Sequence, residues 1–242
     1  AWPEVEAYLR SSTAIIVPIG STEQHGPNGL IGTDAICPEA VAREMARRIT
    51  VLIGPTLAVG MAQHHLAFPG SIALRPSTLL ALVRDVTESL LCQGFTHVYF
   101  LNGHGGNIAT VTAAFSEIWS SASFAGSDTP APRLRLRNWY TGRRVGALSR
   151  ELFGGAEGSH ATPSEVSLSW YAHPEAVKDV TLSPERAANG QIRDAADYRR
   201  CFPDGRIGSN PGLASVAHGK RILEAAVADT LEDFEVFTAP DN

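Results

Sequence analysis

Ala14-Ile15-Ile16-Val17-Pro18-Ile19-Gly20 runs straight into Ser21-Thr22-Glu23-Gln24-His25-Gly26-Pro27. The first six residues are apolar, four of them β-branched, and Gly20 closes the run. Such a run reads as a buried strand. The same junction recurs later. His97-Val98-Tyr99-Phe100-Leu101 leads directly into Asn102-Gly103-His104-Gly105-Gly106-Asn107. Helical patterns lie between and after these strands. Residues 38–50 carry Val41, Met45 and Ile49 at four-residue spacing, with Pro38 at a first helical position. Residues 77–93 place Leu80, Val83, Val86, Leu90 and Leu91 on an apolar face, and Gly94 fits the stop. Residues 51–53 form a further short strand, and residues 108–120 a further helix. Strand, loop and helix in alternation predict an α/β fold with a mainly parallel sheet and helices on both faces.

The rest of the sequence extends this pattern. Residues 121–132 are rich in Ser, Ala, Gly and Pro and read as a surface connection. Residues 134–139 suit a later strand and residues 164–172 a helix. Residues 186–211 are polar and irregular, and residues 213–237 form a last helix. No internal repeat and no linker composition interrupts the sequence, so residues 1–242 read as one domain.

Composition excludes several classes. The protein has 20 Lys+Arg against 25 Asp+Glu, a net charge of -5, which argues against a nucleic-acid partner. It is 44% hydrophobic and 19% charged, which argues against disorder. No apolar stretch is long enough to span a bilayer, so no membrane role is expected. Cys37, Cys92 and Cys201 are far apart and odd in number. They read as reduced thiols of a cytoplasmic protein, two of them buried as small hydrophobes, rather than as disulfides or a Cys zinc site. No basic stretch followed by an apolar one opens the sequence, so no signal peptide is expected.

In a parallel sheet, ligands gather beyond the carboxyl ends of the strands. The two strand-ending loops are therefore the places for chemistry. In the first, Glu23 and His25 are two apart and point to one side if extended. Asp34 reaches the same spot if the loop folds back. A solvated loop with helix-capping residues fits this short pattern equally well. In the second, the glycines around His104 let a ligand come close, which makes Gly105 a candidate substrate contact. A third segment, Gly158-Ser159-His160-Ala161-Thr162-Pro163-Ser164-Glu165, places His160 in a loop and Glu165 at a helix start. On that segment alone a capping role explains Glu165 better. Together these residues offer only oxygen and imidazole donors, a set that suits Zn, Mn or Fe(II) and metal-assisted hydrolysis.

The sequence resembles the creatininase (creatinine amidohydrolase) family. The resemblance rests on Pro18-Ile19-Gly20-Ser21-Thr22-Glu23-Gln24-His25-Gly26-Pro27, Gly32-Thr33-Asp34, Phe68-Pro69-Gly70-Ser71-Ile72, the loop from Asn102 to Asn107, and His160-Ala161 with Glu165. It implies a single α/β domain, two divalent metal ions and a homohexamer. It implies Glu23 and His104 on one metal, His25 on the other and Asp34 bridging them. Creatininase itself has a Glu two places after the His of the second loop; here Gly106 stands at that place. Members with the glycine-rich loop use the later Glu, which is Glu165 here. Gly106 weighs against creatinine itself as substrate.

The expected activity is hydrolysis of a C–N bond in a small amide, cyclic as in creatinine, by a hydroxide bridging the metals. His160 is the candidate proton donor to the leaving nitrogen. His65 is a candidate pocket residue. His64, His97, His173 and His218 are assigned no role. The alternatives are a deformylase or a peptidase with the same centre. A non-catalytic small-molecule binder using the His104 loop as an anion turn is a further one, against which Glu23 and Asp34 argue by repulsion.

Overall fold

The computed structural model describes residues 1–126 and 130–240. Among the described residues, four strands form one sheet: β1 (Ala14–Ile19), β2 (Leu52–Ile53), β3 (His97–Asn102) and β4 (Arg133–Asn138). Their spatial order is β2-β1-β3-β4, and every pairing is parallel. The central strands are apolar on both faces because both faces are covered. Ile16, Tyr99 and Leu101 face one layer; Ile15, Val17, Ile19, Val98 and Phe100 face the other.

Among the described residues there are eight α-helices: α1 (Trp2–Leu9), α2 (Thr33–Arg48), α3 (Pro76–Cys92), α4 (Ile108–Phe124), α5 (Arg143–Phe153), α6 (Pro163–Ala172), α7 (Ala195–Cys201) and α8 (Val216–Thr238). Helices α2, α5, α6 and α8 supply Val41, Met45, Val145, Leu168 and Ile222 to the first layer. Helices α3 and α4 supply Leu79, Val83, Val111 and Phe115 to the second. Gly94, at φ +103°, ends α3 where the sequence predicted a stop. No helix of the described residues is long and apolar enough to cross a membrane.

Pro18 sits in a central strand, where a missing N–H normally costs a ladder bond. Its edge faces β2. There Gly54 N–H donates to the Ile16 carbonyl and Leu57 N–H to the Pro18 carbonyl. Strand β2 ends at Ile53, before the level of Pro18, so the missing N–H interrupts no paired strand residues.

Several sequence expectations are corrected. Helix α2 begins at Thr33, not at 38, and Pro38 lies inside it. Pro38 removes the N–H that would bond the Asp34 carbonyl. That carbonyl instead packs against Gly20 and Gly103, the residues just past β1 and β3; a Cβ at either would collide with it. The predicted connection at 121–132 is shorter, because α4 runs on to Phe124; its residues 127–129 lie outside the described residues. Helices α1 and α5 add to the expected elements, and α5 carries Val145, Leu148, Leu152 and Phe153 at helical spacing. The stretch 186–211 contains α7, and its irregular remainder is pinned by buried Arg206, which donates to the carbonyls of Pro184 and Glu185. Only Cys37 is buried; Cys92 and Cys201 are exposed.

The close seat of Asp34 gives a prediction. Gly103→Ala should destabilise the fold by about 1–3 kcal/mol through overpacking against the α2 backbone. Urea unfolding with an unchanged slope and a lowered midpoint is the expected readout.

Candidate metal centre

The strand ends converge on Asp34, in the first turn of α2. Its two carboxylate oxygens face opposite ways. Oδ1 lies 3.1 Å from His25 Nε2, and Oδ2 lies 2.9 Å from His104 Nδ1. On the His104 side, Glu23 Oε2 stands 3.3 Å from the same Nδ1. On the His25 side, Glu165 Oε2 stands 3.9 Å from Nε2. Two groups that can hold a cation result: Glu23, Asp34 and His104, and His25, Asp34 and Glu165. A third joins Glu23, His25 and His160.

Local structure explains each placement. Glu23 and His25, both buried in the loop after β1, reach the same centre. The His104 loop is stitched by its two asparagines. Asn102 Nδ2 donates to the His104 carbonyl, and Asn107 Nδ2 donates to the Gly20 carbonyl at the end of β1. Glu165 does two jobs. Its Oε1 accepts the Thr162 N–H, and its own N–H donates to the Thr162 hydroxyl. The capping box therefore fixes the carboxylate whose other oxygen faces His25.

The imidazoles turn lone pairs inward. His25 Nδ1 lies 3.1 Å from the Glu23 carbonyl, and His104 Nε2 lies 3.1 Å from the Met61 carbonyl. Each carbonyl takes the ring proton and leaves the other nitrogen for a ligand. Glu23 Oε1, Glu23 Oε2 and Asp34 Oδ2 are buried and face imidazole nitrogens without hydrogen-bond geometry to any of the described residues. Buried orphaned carboxylate oxygens facing imidazole nitrogens fit a divalent cation by donor chemistry.

Electrostatics agree. Burial, reinforced by Asp34, raises Glu23 above the usual carboxylate range. Burial, with His25 opposing and Asp34 adding, pushes Glu165 up to about 7. Burial also works against Asp34's charge, yet His25 and His104 hold it well below the usual range. Burial opposes charge on the rings as well, but Asp34 lifts His25 to about 10, and Glu23 with Asp34 lifts His104 to about 9. The acids thus recruit protons onto two imidazoles when no cation is at hand.

His65 and His160 flank the centre. His65 Nε2 lies 3.0 Å from Glu23 Oε1, and burial drives this ring down to about 2. His160 Nε2 lies 2.8 Å from the Gln24 carbonyl, and its Nδ1 lies 3.8 Å from Glu23 Oε1. Burial, then His25 and His65, lower His160 well below the ordinary range. Every residue singled out in the sequence therefore lies at one place. Gly106 admits no side chain: a Cβ there would strike His104 Nε2 and the Met61 carbonyl.

Sequence reasoning missed several neighbours. The Gln24 amide nitrogen lies within 3.0–3.1 Å of His65 Nδ1, His160 Nε2, Tyr198 Oη and the Gly205 carbonyl. Its place between Glu23 and His25 was the available signal. Tyr140 follows a strand end, the same signal that marked His104. Tyr198 comes from the segment read as irregular and offered none.

Two cavities open on the centre. One, of about 430 Å³, is lined by Trp139, Tyr140, Arg150 and Glu157 beside the centre. The other, of about 420 Å³, is lined by His64, His65, Gln191, Ile192 and Tyr198. They share Glu23, His104, Gly105, Ser159 and His160. His64, given no role from sequence, belongs to the second.

Buried carboxylates and imidazoles at the carboxyl ends of a parallel sheet define an α/β protein with a candidate metal centre. The sequence model described as creatinine amidohydrolase matches residues 1–234, so the protein belongs to the creatininase family of hydrolases. A mycofactocin precursor peptide peptidase from Mycobacterium ulcerans (strain Agy99) is 32% identical, over 94% of this chain and 87% of its own length. A 3-dehydro-scyllo-inosose hydrolase from Thermotoga maritima is 26% identical, over 98% of this chain and 84% of its own. The solved structure "Creatininase Mn" shares the fold with a TM-score of 0.83 at 24% identity, covering 99% of this chain and 97% of its own.

The charge balance predicts proton-linked binding. His25 near 10 and His104 near 9 are protonated at neutral pH, so Mn²⁺ or Zn²⁺ must displace those protons. Affinity should rise from about pH 6 to about pH 8. Calorimetry in buffers of different ionisation enthalpy should register proton release.

Proposed function

We propose that this protein is a metal-dependent hydrolase of an acyclic C–N amide bond, in a short peptide or a peptide-like amide. One observation carries the reaction: Asp34 lies between two imidazole–carboxylate pairs, one facing each of its oxygens. In this reading Glu23 and His104 would hold one divalent ion and His25 and Glu165 another, with Asp34 offering one oxygen to each. Zn, Mn and Fe(II) all suit oxygen and imidazole donors without thiolate. Divalent ions at these residues would supply an acidified water and polarisation of the scissile carbonyl.

The protein's own residues do the rest. His160 Nδ1 faces the centre because Nε2 is tied to the Gln24 carbonyl. It is the group placed to pass a proton to the leaving nitrogen. Gly105 leaves the approach to His104 open from both cavities. Substrate class follows from those cavities. A small cyclic amide needs one; two that meet over the centre suit a substrate with groups on both sides of the scissile bond. The full-length likeness to a peptide peptidase supports the same class.

The test begins with chelation, then reloading with Mn²⁺ or Zn²⁺. The reloaded protein is assayed on dipeptides, formamides and cyclic amides. Free amine from a peptide is expected; formate release instead would select the deformylase alternative. Asp34→Ala should lose both metal and activity. His160→Ala should keep its metal and lose about 10²–10⁴ in kcat. Full activity after complete chelation would overturn the reading.

A further inference from the structure

Tyr140 lies two residues past the end of β4, in the 3-10 turn Trp139–Thr141. Its ring is fixed edge-on against Trp139, with centroids 5.8 Å apart at 90°. The ring also packs against the core layer that holds Trp139 and Val145. The phenol oxygen stands over the His104 loop. A Cβ on Gly105 would lie 3.7 Å from Tyr140 Oη, ordinary contact distance. Any longer side chain at 105 would run into the hydroxyl. Tyr140 lines the first cavity together with Glu23, Asp34, His104, His160 and Glu165.

Of the other hydroxyls lining this cavity, those of Thr162 and Ser164 are hydrogen-bonded to neighbours; Ser149 and Ser159 line it as well. Thr162 Oγ1 accepts the Glu165 N–H, and Ser164 Oγ donates to Glu157. Tyr140 Oη has no hydrogen bond to the described residues. It is a half-buried hydroxyl on a fixed ring, beside Gly105 in the wall of the cavity that opens on the centre.

We propose that Tyr140 is a further catalytic residue, whose hydroxyl donates a hydrogen bond to the carbonyl oxygen of the substrate as it becomes an oxyanion. This rests on the amide-hydrolase reading above. In the step, a water oxygen bonds to the carbonyl carbon and the carbonyl π pair moves onto oxygen, facing Tyr140. A water proton travels by way of His160 to nitrogen, the oxygen pair returns, and the C–N bond breaks. Tyr140 keeps its proton throughout. Burial and the charges of Asp34 and Glu165 hold the phenol well above its ordinary range, so it serves as donor only. A fixed donor aimed at developing charge strengthens on the way to the transition state and contributes little to the ground state.

Tyr140→Phe removes the hydroxyl and keeps the ring. On whichever panel amide the Mn²⁺-loaded wild type hydrolyses, kcat should fall about 10²–10³ with KM within about twofold. Metal content and thermal midpoint should match wild type. A binding arm needs no turnover. Methylphosphonate presents a tetrahedral oxyanion and acetate a planar one. Titrated into Mn²⁺-loaded protein, methylphosphonate should bind Tyr140→Phe about 10–100-fold more weakly than wild type, while acetate should be unchanged. Equal methylphosphonate affinity, or a rise in KM alone, would overturn the role of Tyr140 and leave the hydrolase reading standing. A wild type that binds no Mn²⁺ would overturn both. A wild type that binds Mn²⁺ but cleaves no amide would overturn the substrate class, and the phosphonate comparison alone would then decide for or against Tyr140.

Discussion

The contact on which the rest depends is that of the Asp34 carbonyl with Gly20 and Gly103. Pro38 deprives that carbonyl of its helical donor, and two strand-ending glycines close on it without side chains. Helix α2 therefore starts hard against the ends of β1 and β3. The Asp34 carboxylate, on the same residue, is carried to the one point where the two strand-ending loops meet. Weak Cα–H contacts to a carbonyl are worth little singly. The steric fit matters more, because it fixes the position of a side chain with two donor atoms.

From that point the centre is built outward by hydrogen bonds that leave lone pairs free. Backbone carbonyls of Glu23 and Met61 hold the outer nitrogens of His25 and His104. The Thr162 capping box holds one oxygen of Glu165. The Gln24 carbonyl holds His160. Each of these bonds uses the atom that points away from the centre. The remaining atoms are buried acids and imidazoles that face one another, a set that is costly unless a cation or protons compensate it.

Much of this was legible in the sequence. Apolar runs leading into glycine-containing loops marked β1 and β3, and alternation with helical patterns marked the parallel sheet. Glu23, His25 and His104 could be read because strand-ending loops are where such sheets place chemistry. Asp34 could be read only as a residue that returns if the loop folds back; the start of α2 hid its true setting, because Pro38 looked like a first helical residue. Glu165 looked like a cap and is one. Its second role depends on distance to His25, which no local pattern carries. Gln24 and Tyr198 join the centre through contacts between segments 174 residues apart. Hydrophobic periodicity says nothing about such contacts.

The most direct measurement is diffraction from crystals of the Mn²⁺-loaded protein, collected at the manganese absorption edge. Two anomalous peaks flanking Asp34 are predicted. One is contacted by Glu23 and His104, the other by His25 and Glu165, with Asp34 touching both. A single peak that does not involve Asp34, or none at full Mn²⁺ loading, would contradict a centre bridged by Asp34.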